Sequence, residues 1–261
     1  MTTPRAFDAW TPWLGARAGE LSTGILFLTR LPLPRHAPMS GAAIADASWA
    51  FPLAGVVVGL IGAAIYALAH RLGLPPWPAA ALTVTATLLV TGCLHEDGLA
   101  DTADGFGGGD TREQKLAIMR DSRIGTYGVC ALILSLVLRA GALASLAEPG
   151  LVAAALIASH AAARAIVPAV MFFLGPARTD GLSFSASAPS VARPGAALVI
   201  AAVVLLLTLG FVVTVETLIA LAIVGVAMTR LSERQIGGQT GDVLGAVEQI
   251  GEIAVLLVAV R

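Results

Sequence analysis

Long apolar segments alternate with shorter polar segments along most of the chain. They approach or exceed the ~18 residues that span a bilayer, and they are rich in Ala, Leu, Val and Gly, which is typical of helices rather than barrel strands. We predict seven transmembrane helices, at roughly 51–70, 78–96, 128–147, 151–174, 195–213, 215–230 and 243–260. A shorter stretch, 21–34, contains Arg30 and ends in Leu-Pro-Leu-Pro, so we predict an interfacial or re-entrant segment there.

Composition supports this class of protein and excludes others. Hydrophobic residues make up 57% of the 261 residues and charged residues 13%, whereas an average soluble domain has roughly 25% charged residues. Mean hydropathy is +0.84, and a soluble protein of this size cannot bury so much apolar surface. The net charge of −1 recruits no polyanion, so we expect no nucleic-acid partner. We predict an all-α, polytopic integral membrane protein, with residues 1–261 forming one domain in the lipid bilayer.

Lysines and arginines fall mainly on one side of the predicted membrane. Twelve of the sixteen lie in the N-terminal segment, in the loops 97–127 and 175–194, and in 231–242 with its flank. Arg71 and Arg261 fall on the other side, and Arg139 and Arg164 lie within spans. Because cytoplasmic segments carry the excess of cations, we predict a cytoplasmic N-terminus and a C-terminus outside.

A cluster of acidic residues lies at the end of the second predicted span. Asp97, Asp101 and Asp104 are spaced i, i+4 and i+7, which places all three on one face of a helix. Like charges on one face repel one another, and a bound cation would relieve that repulsion. Carboxylates are hard ligands that suit Mg²⁺ or Mn²⁺ rather than Zn²⁺, and the adjacent His95 and Glu96 could join them. A solvated acidic face on a loop helix is the alternative.

Glycines and arginines follow the acidic cluster. The glycines of 105–110 allow either a phosphate-binding nest or a flexible turn. We predict a short helix at 111–120, after which Arg120 and Arg123 flank Asp121. Arginine suits bidentate phosphate recognition, although membrane anchoring by the positive-inside rule also explains these two residues. Together with the carboxylates, they predict a cytoplasmic phosphoryl-transfer site within about 92–128.

Ionisable residues also lie deep within the predicted spans. Arg139, Arg164 and Glu252 are each roughly 14–17 Å from the cytoplasmic end at 1.5 Å per residue, where an unpaired charge costs at least about 2.5–3.5 kcal/mol. Glu248 lies one turn from Glu252, and His160 lies one turn from Arg164. These groups should therefore pair or line a wet cavity. Structural ion pairs, a substrate pocket that descends from the cytoplasm, and the ion pathway of a secondary transporter are the alternatives.

The last predicted cytoplasmic loop is a glycine-rich turn that enters a helix. Free N–H groups at the start of a helix hold anions, so Thr240 and Asp242 could belong to the site. Either residue could instead cap the helix. An aspartate at this position would repel a phosphate unless a metal lay between the two.

Four motifs, in the same order along the chain, resemble those of cobalamin synthase, the family also called adenosylcobinamide-GDP ribazoletransferase. The long and specific motifs are 95–105, HEDGLADTADG, and 118–128, IMRDSRIGTYG. The opening motif is 27–34, FLTRLPLP, and the closing motif is 237–246, GGQTGDVLGA.

The resemblance implies the last step of adenosylcobalamin assembly at the inner membrane of a prokaryote. Adenosylcobinamide-GDP and α-ribazole, or its 5′-phosphate, would give adenosylcobalamin, or its phosphate, and GMP, with Mg²⁺ required. A ribazole hydroxyl would displace GMP from the pyrophosphate. The expected site residues are Asp97, Asp101, Asp104 and Asp121 as catalytic residues, Glu96, Asp97, Asp101 and Asp104 as metal ligands, and Arg30, His95, Arg120, Arg123, Arg164, Thr240, Asp242 and Glu252 for substrate.

Overall fold

Helices account for 82% of the structure, which confirms the all-α prediction. The computed structural model describes residues 6–34, 39–186 and 188–261, so the N-terminal cations Arg5 and Arg35 lie outside the described part. The helices are α1 (Ala6–Leu28), α2 (Gly41–Ala47), α3 (Phe51–Arg71), α4 (Pro76–Thr91), α5 (Leu94–Gly108), α6 (Arg112–Ile118), α7 (Thr126–Leu146), α8 (Pro149–Phe173), α9 (Leu182–Ala186), α10 (Ala192–Ile236) and α11 (Gly241–Ala259).

Several helices are long and apolar enough to cross a membrane. Among the described residues there are four such stretches, Gly41–Arg71, α7, α8 and α10, or five when α4 and α5 are counted as one bent span. A polytopic membrane protein is therefore confirmed. By the length and composition of its helices, the described part of the structure has four or five candidate spans rather than the predicted seven.

The difference in count has physical causes. α10 has 45 residues and covers two predicted spans, and Gly210 within it has non-helical angles (φ 77°, ψ 175°) that divide it into two helices. The predicted spans 195–213 and 215–230 were separated at residue 214, whereas the break in the structure lies at Gly210. α11 carries three acidic residues among its 19. α4 has only 16 residues, so it is about 24 Å long against a hydrocarbon core of ~30 Å.

The second predicted span, 78–96, ends too late, and this boundary was wrong. α4 ends at Thr91, and the next two residues, Gly92 (φ 66°) and Cys93 (φ 59°), are both left-handed. They turn the chain by 91° into α5. Consequently α5 does not continue α4 in a straight line, and His95 and Glu96 lie on α5 rather than at the end of α4.

α8 forms the centre of the bundle. Nearly all of its residues between 155 and 171 are buried, and it packs against α3, α10 and α11. Glycine permits the close approach of α3, because a Cβ added at Gly55 would lie 2.1 Å from the His160 carbonyl oxygen. A Cβ added at Gly59 would lie 2.7 Å from the Leu156 carbonyl oxygen. Small residues at helix contacts are the usual device for close packing in membranes.

Candidate active site

α5 carries the predicted acidic residues and lies against the start of α11. A Cβ added at Gly98 would come within 2.7 Å of the Asp242 carbonyl oxygen, and one added at Gly245 within 3.2 Å of the His95 carbonyl oxygen. The two backbones are therefore in direct contact. This contact brings Asp242, from the closing motif, beside the acidic residues of α5.

A polar groove lies along α5 and gathers several of the predicted residues. Its volume is about 490 Å³, and its polar lining includes Glu96, Asp97, Asp101, Arg120 and Asp121. These residues come from both of the long motifs. The sequence prediction that carboxylates and an arginine share one site agrees with this geometry.

The carboxylates beside this polar groove repel one another. Burial and, to a smaller extent, the negative charges of Asp97, Asp242 and Asp104 together raise the pKa of Asp101 to about 7, against the opposing effect of Arg178. The pKa of Asp242 is also raised, chiefly by burial. The site thus carries excess negative charge that a cation would offset.

Asp104 has a different environment from the other two aspartates. Its side chain is buried, its Oδ2 accepts a hydrogen bond from the Gly125 amide at 2.7 Å, and its Oδ1 accepts one from the Gly128 amide at 2.8 Å. A Cβ at either glycine would lie within 2.5 Å of the carboxylate. Asp104 therefore anchors the N-terminus of α7, a contact that the sequence did not predict.

Helix geometry also separates Asp104 from Asp97. Seven residues rise about 10.5 Å along a helix, whereas the ligands of one Mg²⁺ lie about 2.1 Å from it. Within the described residues, His160, Glu248 and Glu252 form a group of three potential metal ligands, because their donor atoms lie within 4.8 Å of one another. The three aspartates of α5 form no such group.

The glycines of 105–110 divide between a helix and the connection to α6 that begins at Gly109, so the flexible-turn alternative does not hold for Gly105, Gly107 and Gly108. Residues 105–108 form the last turn of α5. A Cβ at Gly105 would lie 2.4 Å from the Met119 side chain, and one at Gly107 would lie 2.7 Å from the Tyr127 ring. These glycines are required by close packing. The predicted helix at 111–120 is present as α6, with Thr111 as its N-cap.

The two predicted phosphate-binding arginines lie in different positions. Arg120 lines the polar groove and pairs with Asp180 on the protein surface. Arg123 donates bidentate hydrogen bonds to Asp121, which hold the pKa of that exposed carboxyl at about 2. The Arg123 side chain is 87% exposed and does not line the groove.

Three loops that were predicted on the same side of the membrane meet at this end of the bundle. Arg112 donates hydrogen bonds to the carbonyls of Ile236 and Ala177, at 2.7 and 2.6 Å. The Gln239 amide donates to the Gly175 carbonyl at 2.8 Å, and the Ala177 amide donates to the Gln239 carbonyl at 2.8 Å. The loops 109–125, 175–181 and 237–240 thus form one surface beside the groove.

Arg178 lies beside the candidate site, and the sequence prediction did not include it. Its Nη1 lies 3.7 Å from Asp242 Oδ2, and its Nη2 donates to the Leu116 carbonyl at 3.1 Å. The sequence marked it only as one of many loop cations, because no local pattern links residue 178 to residue 242. Thr240 was left open between cap and site, and it does cap α11, since its hydroxyl accepts from the Val243 amide at 3.3 Å.

The deep charges pair with one another, as one sequence alternative required. Arg139 contacts Glu96 and Glu252, each at 2.8 Å, and Arg164 contacts Glu248 at 2.6 Å. His160 lies 3.2 Å from Glu252, and His95 lies 3.3 Å from Glu248. All seven side chains are buried. This ion-pair network joins α5, α7, α8 and α11.

A second, mostly apolar cavity of about 180 Å³ adjoins the site. Its polar residues are His95, Asp97, Arg164 and Asp242, all of which were predicted site residues. Asp97 lines both this apolar cavity and the polar groove. Arg30 and Glu252 line neither: Arg30 packs over Gly92 at the turn between α4 and α5, and Glu252 belongs to the ion-pair network.

Fold and site together define a polytopic α-helical membrane protein that gathers acidic and basic side chains at one end of its bundle. The sequence matches the family described as cobalamin-5-phosphate synthase over residues 20–260. The chain belongs to this family.

Similar proteins named adenosylcobinamide-GDP ribazoletransferase support the same assignment. That of Bradyrhizobium diazoefficiens is 57% identical over 240 residues, and that of Mesorhizobium japonicum is 53% identical over 240 residues; each alignment covers 92% of both chains. That of Azorhizobium caulinodans is 48% identical over 247 residues, covering 91% of this chain and 94% of the relative. No solved structure matches the chain.

Proposed function

We propose that this chain transfers the adenosylcobinamide phosphate moiety of adenosylcobinamide-GDP to α-ribazole, or to its 5′-phosphate, in the final step of adenosylcobalamin synthesis. The oxygen of a ribazole hydroxyl bonds to the phosphorus that carries the cobinamide. The bridging P–O bond breaks, GMP leaves with the bridging oxygen, and the proton of the hydroxyl passes to water. The observation that carries this proposal is the polar groove, in which carboxylates and Arg120 meet in a member of this family.

Arg120 is suited to hold the pyrophosphate. A guanidinium can donate to two phosphate oxygens at once, and the competing pair with Asp180 is on the exposed surface. Arg178, beside Asp242, is a second cation within reach of the same region. Asp121 fixes Arg123, so we assign these two residues to shaping the loop rather than to contact with the phosphate.

The donor set of the groove fits Mg²⁺. Glu96, Asp97 and Asp101 line the groove, and Glu96 Oε2 is buried without a hydrogen-bond partner among the described residues. We propose Asp97 and Asp101, with Asp242 from the adjoining apolar cavity and the free Oε2 of Glu96, as ligands. Their side chains would have to converge on the ion, because no three of these described residues have donor atoms within 4.8 Å of one another. Asp104 is assigned to the support of α7, because both of its carboxylate oxygens accept backbone hydrogen bonds. When bound, Mg²⁺ would offset charge on the phosphate oxygens as the transfer proceeds.

We also propose a location in the inner membrane, with the N-terminus and the groove in the cytoplasm and the C-terminus in the periplasm. The cation-rich loops that meet beside the groove carry the positive-inside signal that supports this orientation. The transporter alternative loses its motivation, because the deep charges that suggested it are paired with one another.

GMP release by the detergent-solubilised protein tests the proposed function. We expect release to require both substrates and Mg²⁺, and to cease when EDTA is added. The variant Asp101→Asn should abolish release, whereas Glu113→Gln, an exposed change on α6, should retain it. GMP release that persists in EDTA would contradict the metal assignment. Substrate movement only in sealed vesicles, without GMP release, would contradict the transferase.

A further inference from the structure

The apolar cavity has the size and lining for a small aromatic ring system. Its apolar wall is formed mainly by Phe27, Leu28, Phe51, Val167, Met171 and Leu244. The rings of Phe27 and Phe51 have centroids 5.9 Å apart. The volume of about 180 Å³ compares with an engineered apolar cavity of about 150 Å³ that binds benzene. A corrin or a whole nucleotide is too large and too polar for this space.

The polar edge of the apolar cavity offers a hydrogen-bond donor. Arg164 lines it and is 1% exposed, and its Nη1 is engaged by Glu248 and by His160. Its Nε is buried and has no hydrogen-bond partner among the described residues. A buried donor without a partner is costly, so a ligand with a ring-nitrogen acceptor gains from binding here.

We propose that the apolar cavity binds the benzimidazole base of α-ribazole, with the Arg164 Nε–H available to its unsubstituted ring nitrogen. This inference rests on the proposed function. The ribose then lies at the mouth of the cavity, where Leu94 and Asp97 are exposed. Because Asp97 also lines the polar groove, a hydroxyl of that ribose is brought toward the phosphorus of the other substrate. The two cavities thus separate the two substrates, and the reaction takes place between them.

Steady-state kinetics with a variant that fills the cavity tests this assignment. Val167→Phe places a ring in the space of the base, so we expect the KM for α-ribazole to rise about tenfold or more, because a single misfitting methylene already costs 10–200-fold. The KM for adenosylcobinamide-GDP should stay near the wild-type value, because we assign that substrate to the polar groove. Val203→Phe, on an exposed face of α10, is the matched control and should leave both values unchanged.

An enlarged cavity provides the second variant. Met171→Ala removes side-chain volume from the wall, so the riboside of a bulkier tricyclic base should become a better substrate relative to α-ribazole. An unchanged KM for α-ribazole in Val167→Phe, together with an unchanged base preference in Met171→Ala, would overturn the assignment while the transferase stands.

A binding measurement separates failure of the inference from failure of the proposed function. Calorimetry with the full chain in detergent and EDTA should show binding of 5,6-dimethylbenzimidazole to the wild type and weaker binding, by about tenfold or more, to Val167→Phe. Binding with this dependence but without GMP release would support the cavity and contradict the transferase. GMP release by the wild type, together with equal binding of the base to the wild type and to Val167→Phe, would support the transferase and contradict the cavity assignment.

Discussion

Asp101 and Asp104 occupy the same face of α5 but have opposite electrostatic environments. Asp101 is half-buried among like charges, whereas the carboxylate of Asp104 accepts two backbone hydrogen bonds from the start of α7. A carboxylate that repels its neighbours destabilises the metal-free protein, and a bound cation relieves that repulsion. A carboxylate that accepts two amide hydrogen bonds stabilises the fold. Replacement of each by asparagine should therefore have different consequences.

We expect Asp104→Asn to destabilise the protein. The new side-chain amide would face a backbone N–H, leaving one buried donor without an acceptor at a cost of about 1–3 kcal/mol. The apparent melting temperature in detergent should fall, while the Mg²⁺ concentration that gives half-maximal GMP release should stay near that of the wild type. A wild-type melting temperature combined with a greatly increased Mg²⁺ requirement would instead identify Asp104 as a metal ligand.

We expect Asp101→Asn to stabilise the metal-free protein at neutral and higher pH. The raised pKa, about 7, means that ionised Asp101 costs folding free energy. That cost is complete above pH 7 and fades as the pH falls from 7 toward the ordinary value near 4. In EDTA, the apparent melting temperature of Asp101→Asn should therefore be higher than that of the wild type at pH 8 and equal to it at pH 4. A lower melting temperature than the wild type at pH 8 would show that the ionised Asp101 has a favourable partner.

Arg120 and Arg123 form a matched pair for the phosphate assignment. Lysine keeps the positive charge but not the bidentate geometry, so Arg120→Lys should lower kcat on the order of 10²-fold. Arg123→Lys should have a much smaller effect, because Arg123 contacts Asp121 outside the groove. The measurement is GMP release at saturating concentrations of both substrates. Equal, large losses in the two variants would return Arg123 to the phosphate site.

The local pattern predicted which side chains share a helix face, but not what packs against that face. The i, i+4, i+7 spacing placed the three aspartates together, and all three are on α5. The partners that distinguish them, Gly125 and Gly128 for Asp104 and Asp242 for Asp101, are more than twenty residues away. Long-range contacts of this kind leave no periodicity in a single sequence.

At the scale of helices, the contact between α5 and α11 positions the site. Gly98 touches the backbone of Asp242, so these two helices approach more closely than side chains would allow. The sequence alone predicted this close approach only weakly, because a glycine within a helix can also mark a flexible position. The turn at Gly92 was similarly visible as a helix-ending glycine, but the apolar run continued through it and extended the predicted span to residue 96.

Gly98→Ala tests the importance of this contact. The added methyl would lie 2.7 Å from the Asp242 carbonyl oxygen, so α5 and α11 must move apart, at a cost of about 1–3 kcal/mol. GMP release should fall, and the apparent melting temperature should fall with it. Gly225→Ala is the control, because the added methyl meets open space and alanine favours a helix over glycine by about 1 kcal/mol. Wild-type behaviour of Gly98→Ala would contradict close helix contact.

At the scale of the whole molecule, the long apolar segments and the distribution of charge predicted the class and the grouping of the loops. The apolar segments are helices, and three of the cation-rich loops meet at one end of the bundle. The family was predicted from four motifs and is confirmed by the match over residues 20–260. The number of crossings was less predictable, because buried acidic residues in α11 and a short α4 weaken the hydropathy signal that identifies a span.

Membrane orientation follows from the same distribution of charge and can be tested by thiol labelling. Because Cys93 and Cys130 are exposed, the background should carry Cys93→Ser and Cys130→Ser. Single cysteines are then introduced as Glu113→Cys, on the exposed surface of α6, and as Arg261→Cys, at the C-terminus.

The distribution of cations predicts the result. Twelve cations lie on the predicted side of residue 113 and two on that of residue 261, which predicts a cytoplasmic α6 and a periplasmic C-terminus. A membrane-impermeant maleimide applied to spheroplasts should label position 261 at once and position 113 only after permeabilisation. Labelling of position 113 in intact spheroplasts would reverse the topology and place the groove on the side without nucleotide.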